Sequence, residues 1–143
     1  MVGVFNTISG DFAVVSGGHT NIASGDYASI SGGSGGRASG LFSASSGGEF
    51  NVASGEISSI SGGVGHVAIG LLSSVCGGSG NTASGAGSTV CGGFNNTASG
   101  EFSSVSGGQS NTASGDYSAV SGGLNRTAPG ENNWAAGSLF ADF

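Results

Sequence analysis

Few side chains in this 143-residue chain can do chemistry, and they fall in columns rather than clusters. Asp11, Asp26, Glu56, Glu101, Asp116 and Glu131 recur at multiples of fifteen. Carboxylates stacked about 5 Å apart repel one another, and such a column could draw in a cation. Leu41, Leu71 and Ala86 interrupt it, so the expectation is a solvated edge. A calcium-binding nonapeptide roll needs aspartate after its glycines. Gly77-Gly78-Ser79-Gly80-Asn81 offers asparagine instead. Cys76 and Cys91, the only cysteines, are also fifteen apart. They form no Cys-x-x-Cys and have no nearby histidine pair, so no zinc site is expected. Stacked one coil apart they suit a disulfide in separation, but parallel side-chain vectors do not favour one. Both stand where serine stands elsewhere (Ser61, Ser106), and a role as small fillers is the expectation. His19 and His66 lack stacked partners of catalytic type. The Gly-x-Gly stretches are followed by no lysine and open no helix, so they are not phosphate loops. Asn95-Asn96-Thr97 and Asn125-Arg126-Thr127 match the glycosylation sequon, a match that arises easily in Asn/Thr-rich repeats. No enzyme, cofactor or metal is expected.

What must position these columns is a period. Glycines recur every fifteen residues in three series, from Gly10 to Gly130, Gly17 to Gly137 and Gly3 to Gly123. They account for 27 of the 32 glycines. So strict a period means one coil stacked on itself. Glycine-rich composition usually signals disorder, but periodic glycines argue against it. The clearest unit runs from Ser106 to Val120 and splits into halves of seven and eight residues, each a short strand closed by glycine. A helix is implausible, because glycine costs about 1 kcal/mol per residue there. The fold class expected is all-β: a parallel β-roll, or β-solenoid, of about nine 15-residue coils with two short strands per coil. At about 4.8 Å per coil it makes a rod of about 43 Å.

Net charge of −6 with only two basic residues excludes an electrostatic nucleic-acid binder and a basic membrane-surface helix. No apolar run approaches the ~18 residues of a membrane span, so no membrane insertion is expected in this segment. Met1-Val2-Gly3-Val4 lacks the charged and apolar regions of a signal peptide. Phe5 to Gly10 is already in repeat register, so the chain reads as starting mid-pattern.

Alternation assigns the faces. Ala23 to Ala128, at steps of fifteen, point inward from the first strand. Ile30, Ile60, Val75, Val90, Val105 and Val120 point inward from the second. Asn6, Asn21, Asn51, Asn81, Asn96 and Asn111 lead into the first strand and can stack as a hydrogen-bonded ladder. The first strand shows outward a mostly Thr/Ser face, including Thr82, Ser84, Thr97, Ser99, Thr112 and Ser114, broken by Arg37, Val67/Ile69 and Pro129. The second shows an uncharged stripe that opens on Phe12, Tyr27, Phe42, Ile57, Leu72, Phe102 and Tyr117, with Gly87 as a gap. An apolar column of that length exceeds what monomers usually expose. The expectation is burial against other copies of the chain through closed symmetry. The competing expectation is that the rings lie over their own turns.

His66-Val67-Ala68-Ile69-Gly70 contains the Val-Ala-Ile-Gly core of the head repeats of trimeric autotransporter adhesins. The units at 76–85 and 106–115 resemble related repeats of bacterial surface fibres and phage-type tail fibres. The resemblance covers about residues 4–130. It implies a left-handed roll, a homotrimer wound about one axis, an extracellular, cell-surface or virion-fibre location, and an adhesive role towards a host or surface receptor. A second resemblance, at Phe5-Asn6-Thr7-Ile8-Ser9-Gly10, is to plant ice-recrystallisation-inhibition proteins. It implies a monomer with Thr82, Ser84, Thr97, Ser99, Thr112 and Ser114 as the ice-binding face. Residues 1–130 are expected to form the roll. Residues 131–143, with Trp134, Leu139, Phe140 and Phe143, are expected to form a cap, a junction or the joint of an end-to-end filament.

Overall fold

The computed structural model describes residues 3–137. Its strands are two residues long, from β1 (Thr7–Ile8) and β2 (Val14–Val15) to β17 (Thr127–Ala128) and β18 (Trp134–Ala135). Odd-numbered strands form one nine-stranded sheet and even-numbered strands another, each in chain order. All pairings are parallel, and each residue pairs with the one fifteen positions on, as in Thr7↔Ile22 and Val14↔Ser29. The chain is therefore a β-solenoid of about nine coils with no helix among the described residues. A third column of single-residue bridges links Val4, His19, Ser34, Glu49, Val64, Ser79, Phe94, Gln109 and Leu124. Each coil thus has three sides held to the coils above and below.

The core is a stack of four inward columns. Ala23 to Ala128 are buried from the first strand, and Val15, Ile30, Ile60, Val75, Val90, Val105 and Val120 from the second, as alternation predicts. Buried asparagines form the third column. The fourth, Ala28, Ser43, Ser58, Ser73, Ser88, Ser103 and Ser118, is not anticipated from the sequence. Ser103 Oγ donates to the Gly100 carbonyl three residues before it, at 2.7 Å. The other serines donate their backbone N–H to the equivalent glycine carbonyl, but their Oγ atoms are buried without a hydrogen-bond partner.

The asparagine ladder runs through the backbone rather than from side chain to side chain. Asn96 Oδ1 accepts the Asn111 N–H at 2.9 Å, and its Nδ2 donates to the carbonyls of Gly92 and Gly108 at 2.9 Å each. Asn21, Asn51, Asn81 and Asn111 repeat the pattern. One carboxamide therefore ties its own coil to the next by three hydrogen bonds. The column is interrupted by Gly36, His66 and Arg126, and coil 31–45 departs in a second column as well. Gly36 stands in the asparagine column and Ser45 in the Val/Ile column, and the apolar core divides there into two clusters.

The glycines permit the rungs to approach. A Cβ on Gly85 would run into the carbonyl of Gly100, one rung on. The series from Gly3 to Gly123 adds a left-handed backbone at the opposite corner, with φ of 84–120°.

Candidate functional site

The uncharged column sits on a turn, not on the second strand. In the turn Gly25-Asp26-Tyr27-Ala28, the Ala28 N–H donates to the Gly25 carbonyl at 3.1 Å. Tyr27, the third residue, has φ of 57°. Phe12, Phe42, Ile57, Leu72, Phe102 and Tyr117 share this left-handed conformation, with φ between 52° and 57°. The outward direction expected of them is observed. The extended backbone is not, because a cross-rung bond sets the conformation: the Tyr27 N–H donates to the Asp11 carbonyl at 2.7 Å. Such a φ costs a non-glycine residue about 1 kcal/mol or more, and it is held only where surroundings over-determine it. Glycine would sit there without strain, as Gly87 does at φ 64°. Bulky side chains nonetheless fill the column.

All seven are solvent-facing in the single chain, from 46% exposed at Ile57 to 77% at Phe12. Rings of neighbouring rungs stack. Phe12 and Tyr27 lie 5.0 Å apart, Tyr27 and Phe42 4.8 Å, and Phe102 and Tyr117 5.6 Å, with interplanar angles of 12–19°. The Phe102 ring leans over Gly87, where a Cβ would meet its edge, so the expected gap is filled from the next rung. The stripe holds stacked rings at both ends and aliphatic Ile57 and Leu72 between.

A second left-handed column, unnoticed in the sequence, contains Phe5, Thr20, Phe50, Asn95, Ser110 and Asn125 at φ 53–58°. Phe50 is 64% exposed and lies over Gly35. These residues precede the asparagine column by one, and glycine takes the same position at Gly35, Gly65 and Gly80.

The Thr/Ser face lies on the odd-numbered sheet. Thr82, Thr97 and Thr112 pair in register on β11 (Thr82–Ala83), β13 (Thr97–Ala98) and β15 (Thr112–Ala113), half-buried by their neighbours. Ser84, Ser99 and Ser114 follow as a parallel row. Below Thr82 the row changes to Val67, Val52 and Arg37.

Two members of the acidic column cap the rung before them. Asp26 Oδ1 accepts the Asp11 N–H, and Asp116 Oδ1 the Glu101 N–H, both at 2.9 Å. His19 is exposed, with Thr20 Oγ1 3.2 Å from its Nδ1 and the Phe5 ring edge-on at 5.7 Å. His66 is fully buried in the asparagine column. Its Nδ1 accepts the Asn81 N–H at 3.1 Å, so the neutral ring carries its proton on Nε2. That Nε2–H faces the Gly78 carbonyl without reaching good hydrogen-bond geometry. Burial lowers the His66 pKa from its ordinary 6.5, opposed by the Gly78 carbonyl. Cys76 and Cys91 are free and exposed on adjacent rungs. Burial, then the neighbouring Cys91 thiol, raises the Cys76 pKa.

Among the described residues, no three metal-ligating side chains cluster and no helix is long and apolar enough to cross a membrane. Trp134, expected in a terminal cap, sits on β18 and continues the second sheet, donating from Nε1 to Ser121 Oγ at 2.8 Å. Leu139, Phe140 and Phe143 lie outside the described residues. No protein-family model matches the chain, and no curated protein matches it.

Proposed function

We infer that this chain is a non-enzymatic structural or adhesive fibre module, a β-roll that associates with copies of itself through the column from Phe12 to Tyr117. The observation that carries this reading is the conformation of that column: seven large apolar residues occupy strained left-handed positions and face solvent. The cross-rung bond holds the backbone there and glycine would make it without strain, so the large apolar side chains kept rung after rung call for a contact outside the single roll. A half-exposed large side chain leaves roughly 100 Å² of surface, so seven leave about 700 Å². A standard interface needs about 800 Å² per partner. The column alone comes close to that. A homotrimer of parallel rods satisfies every chain through closed symmetry. Display at a cell surface or on a virion fibre, with a host or surface receptor as target, follows from the same reading.

A second reading is favoured by the in-register row Thr82–Thr97–Thr112, extended to Thr127. A flat hydroxyl row at regular spacing suits ice, and an ice binder works as a single roll. One preparation separates the two. Light scattering on the purified chain is expected to give three times the 13.4 kDa chain mass, with no arrest of ice recrystallisation at micromolar concentration. A 13.4 kDa species that arrests recrystallisation and loses the effect in Thr97→Lys establishes the second reading and removes the first.

A further inference from the structure

Cys76 and Cys91 occupy neighbouring rungs of one outward column, next to β10 (Ser74–Val75) and β12 (Thr89–Val90), whose register pairs Val75 with Val90. The Cys76 N–H donates to the Val90 carbonyl at 3.0 Å, and the Cys91 N–H to the Val105 carbonyl at 2.9 Å. The backbone thus holds both residues firmly at the spacing of adjacent parallel strands, about 4.8 Å. That separation falls inside the Cα range of disulfides. In-register side chains leave the Cβ atoms slightly too far apart, so closure needs the two rungs to pinch by a few tenths of an ångström. The same two rungs already bring outward side chains together two residues earlier, where Ser74 Oγ and Thr89 Oγ1 are 3.2 Å apart. Both thiols are free and exposed on this face.

We propose that Cys76 and Cys91 are a redox modification site that closes into a reversible cross-rung disulfide by exchange with a small-molecule disulfide. One thiolate attacks the external disulfide, forming a mixed disulfide and releasing one thiol, which takes up the proton lost by the cysteine. The second cysteine thiolate then attacks the protein sulfur of that mixed disulfide. The intrachain S–S bond forms and the second external thiol leaves with the other proton. The two cysteines are oxidised and the external disulfide is reduced, so atoms and electrons balance. The pinch makes the bond easier to reduce than an unstrained structural disulfide, which marks it as a switchable staple. It joins the coil that contains Gly87, where the outer column lacks a ring of its own, to the next coil. This inference does not depend on the fibre reading.

The test is to incubate the purified full chain with oxidised glutathione and measure intact mass without reductant. The expected product is a single chain lighter by two hydrogens, with no glutathione retained, and restored to its starting mass by excess reduced glutathione. Cutting after glutamate should place the loss in fragment 57–101, which holds both cysteines. Cys76→Ser and Cys91→Ser should each retain one glutathione per chain. Both variants keep the serine found at this position on other rungs, so folding is not at issue. A wild-type chain that stays fully reduced, carries two glutathiones or cross-links to a second chain overturns the proposal.

Discussion

Removing one carboxamide from the interior should cost three hydrogen bonds that join two rungs, and Asn96→Ala measures how much. Asn96 is fully buried. Its Oδ1 is the acceptor for the Asn111 N–H at 2.9 Å, and its Nδ2 reaches the Gly92 and Gly108 carbonyls at 2.9 Å each. The losses are unequal. The Gly108 carbonyl keeps the Phe94 N–H at 2.9 Å, so it is not orphaned. The Asn111 N–H is left buried without an acceptor, which costs about 1–3 kcal/mol. The two lost amide donations add about 0.5–1 kcal/mol each. The total is about 3 kcal/mol, before any cavity term. Urea unfolding monitored by circular dichroism should show a midpoint shift of that size. Hydrogen exchange should show faster exchange at the Asn111 amide than at amides two rungs away. Thr97→Ala, the next residue on the outward face, should change stability by less than about 0.5 kcal/mol. An Asn96→Ala loss below about 1 kcal/mol, or one no larger than that of Thr97→Ala, would refute the idea that the ladder holds the coils together.

Other consequences are as direct. A histidine kept neutral by burial binds its proton less readily folded than unfolded, so stability should be unaffected above pH 6.5 and should fall as pH drops below it. At pH 5.5 the loss reaches at most about 1.4 kcal/mol. His66→Asn should abolish the part of the pH 7.5-to-5.5 decline in urea midpoint that His66 causes, while His19→Asn should leave that decline in place. Gly36→Asn with Ser45→Val should restore the ladder and join the two apolar clusters, raising stability by about 1 kcal/mol for each substitution. A lower midpoint in the double variant would show that coil 31–45 is not the weak rung. Gly85→Ala should cost more than about 4 kcal/mol, because its Cβ meets the Gly100 carbonyl, whereas Gly77→Ala meets nothing within 4 Å and should be neutral within about 0.5 kcal/mol. Equal melting temperatures for these two variants would contradict the close stacking of the turns.

The coil itself was readable from the sequence because a fifteen-residue period admits only in-register stacking, and the Ala and Val/Ile columns followed from alternation. Three features were hidden for physical reasons. The column Ser43 to Ser118 is polar yet buried, and only Ser103 Oγ bonds the glycine carbonyl three residues back, so no local pattern marks it as interior. The turn conformation at Tyr27 and Phe42 depends on hydrogen bonds to the preceding rung, which no local pattern encodes. In the sequence, His66 reads only as a histidine without partners of catalytic type. Its Nδ1 takes over the acceptor role of the asparagine it replaces, and only the stack makes that substitution intelligible. The ring column was legible as a surface, while the strain that marks it as more than a flat covering was not.

Nitration of tyrosine tests the self-association reading most directly, because Tyr27 and Tyr117 lie within the ring column and are 48% and 55% exposed in the single chain. In the native protein at micromolar concentration, tetranitromethane should leave both unmodified. They should become reactive in a Phe42→Glu/Phe102→Glu variant that keeps its β-sheet spectrum. Native Tyr27 and Tyr117 nitrated as fast as free tyrosine would mean that no second chain covers the column, and the fibre account would be wrong.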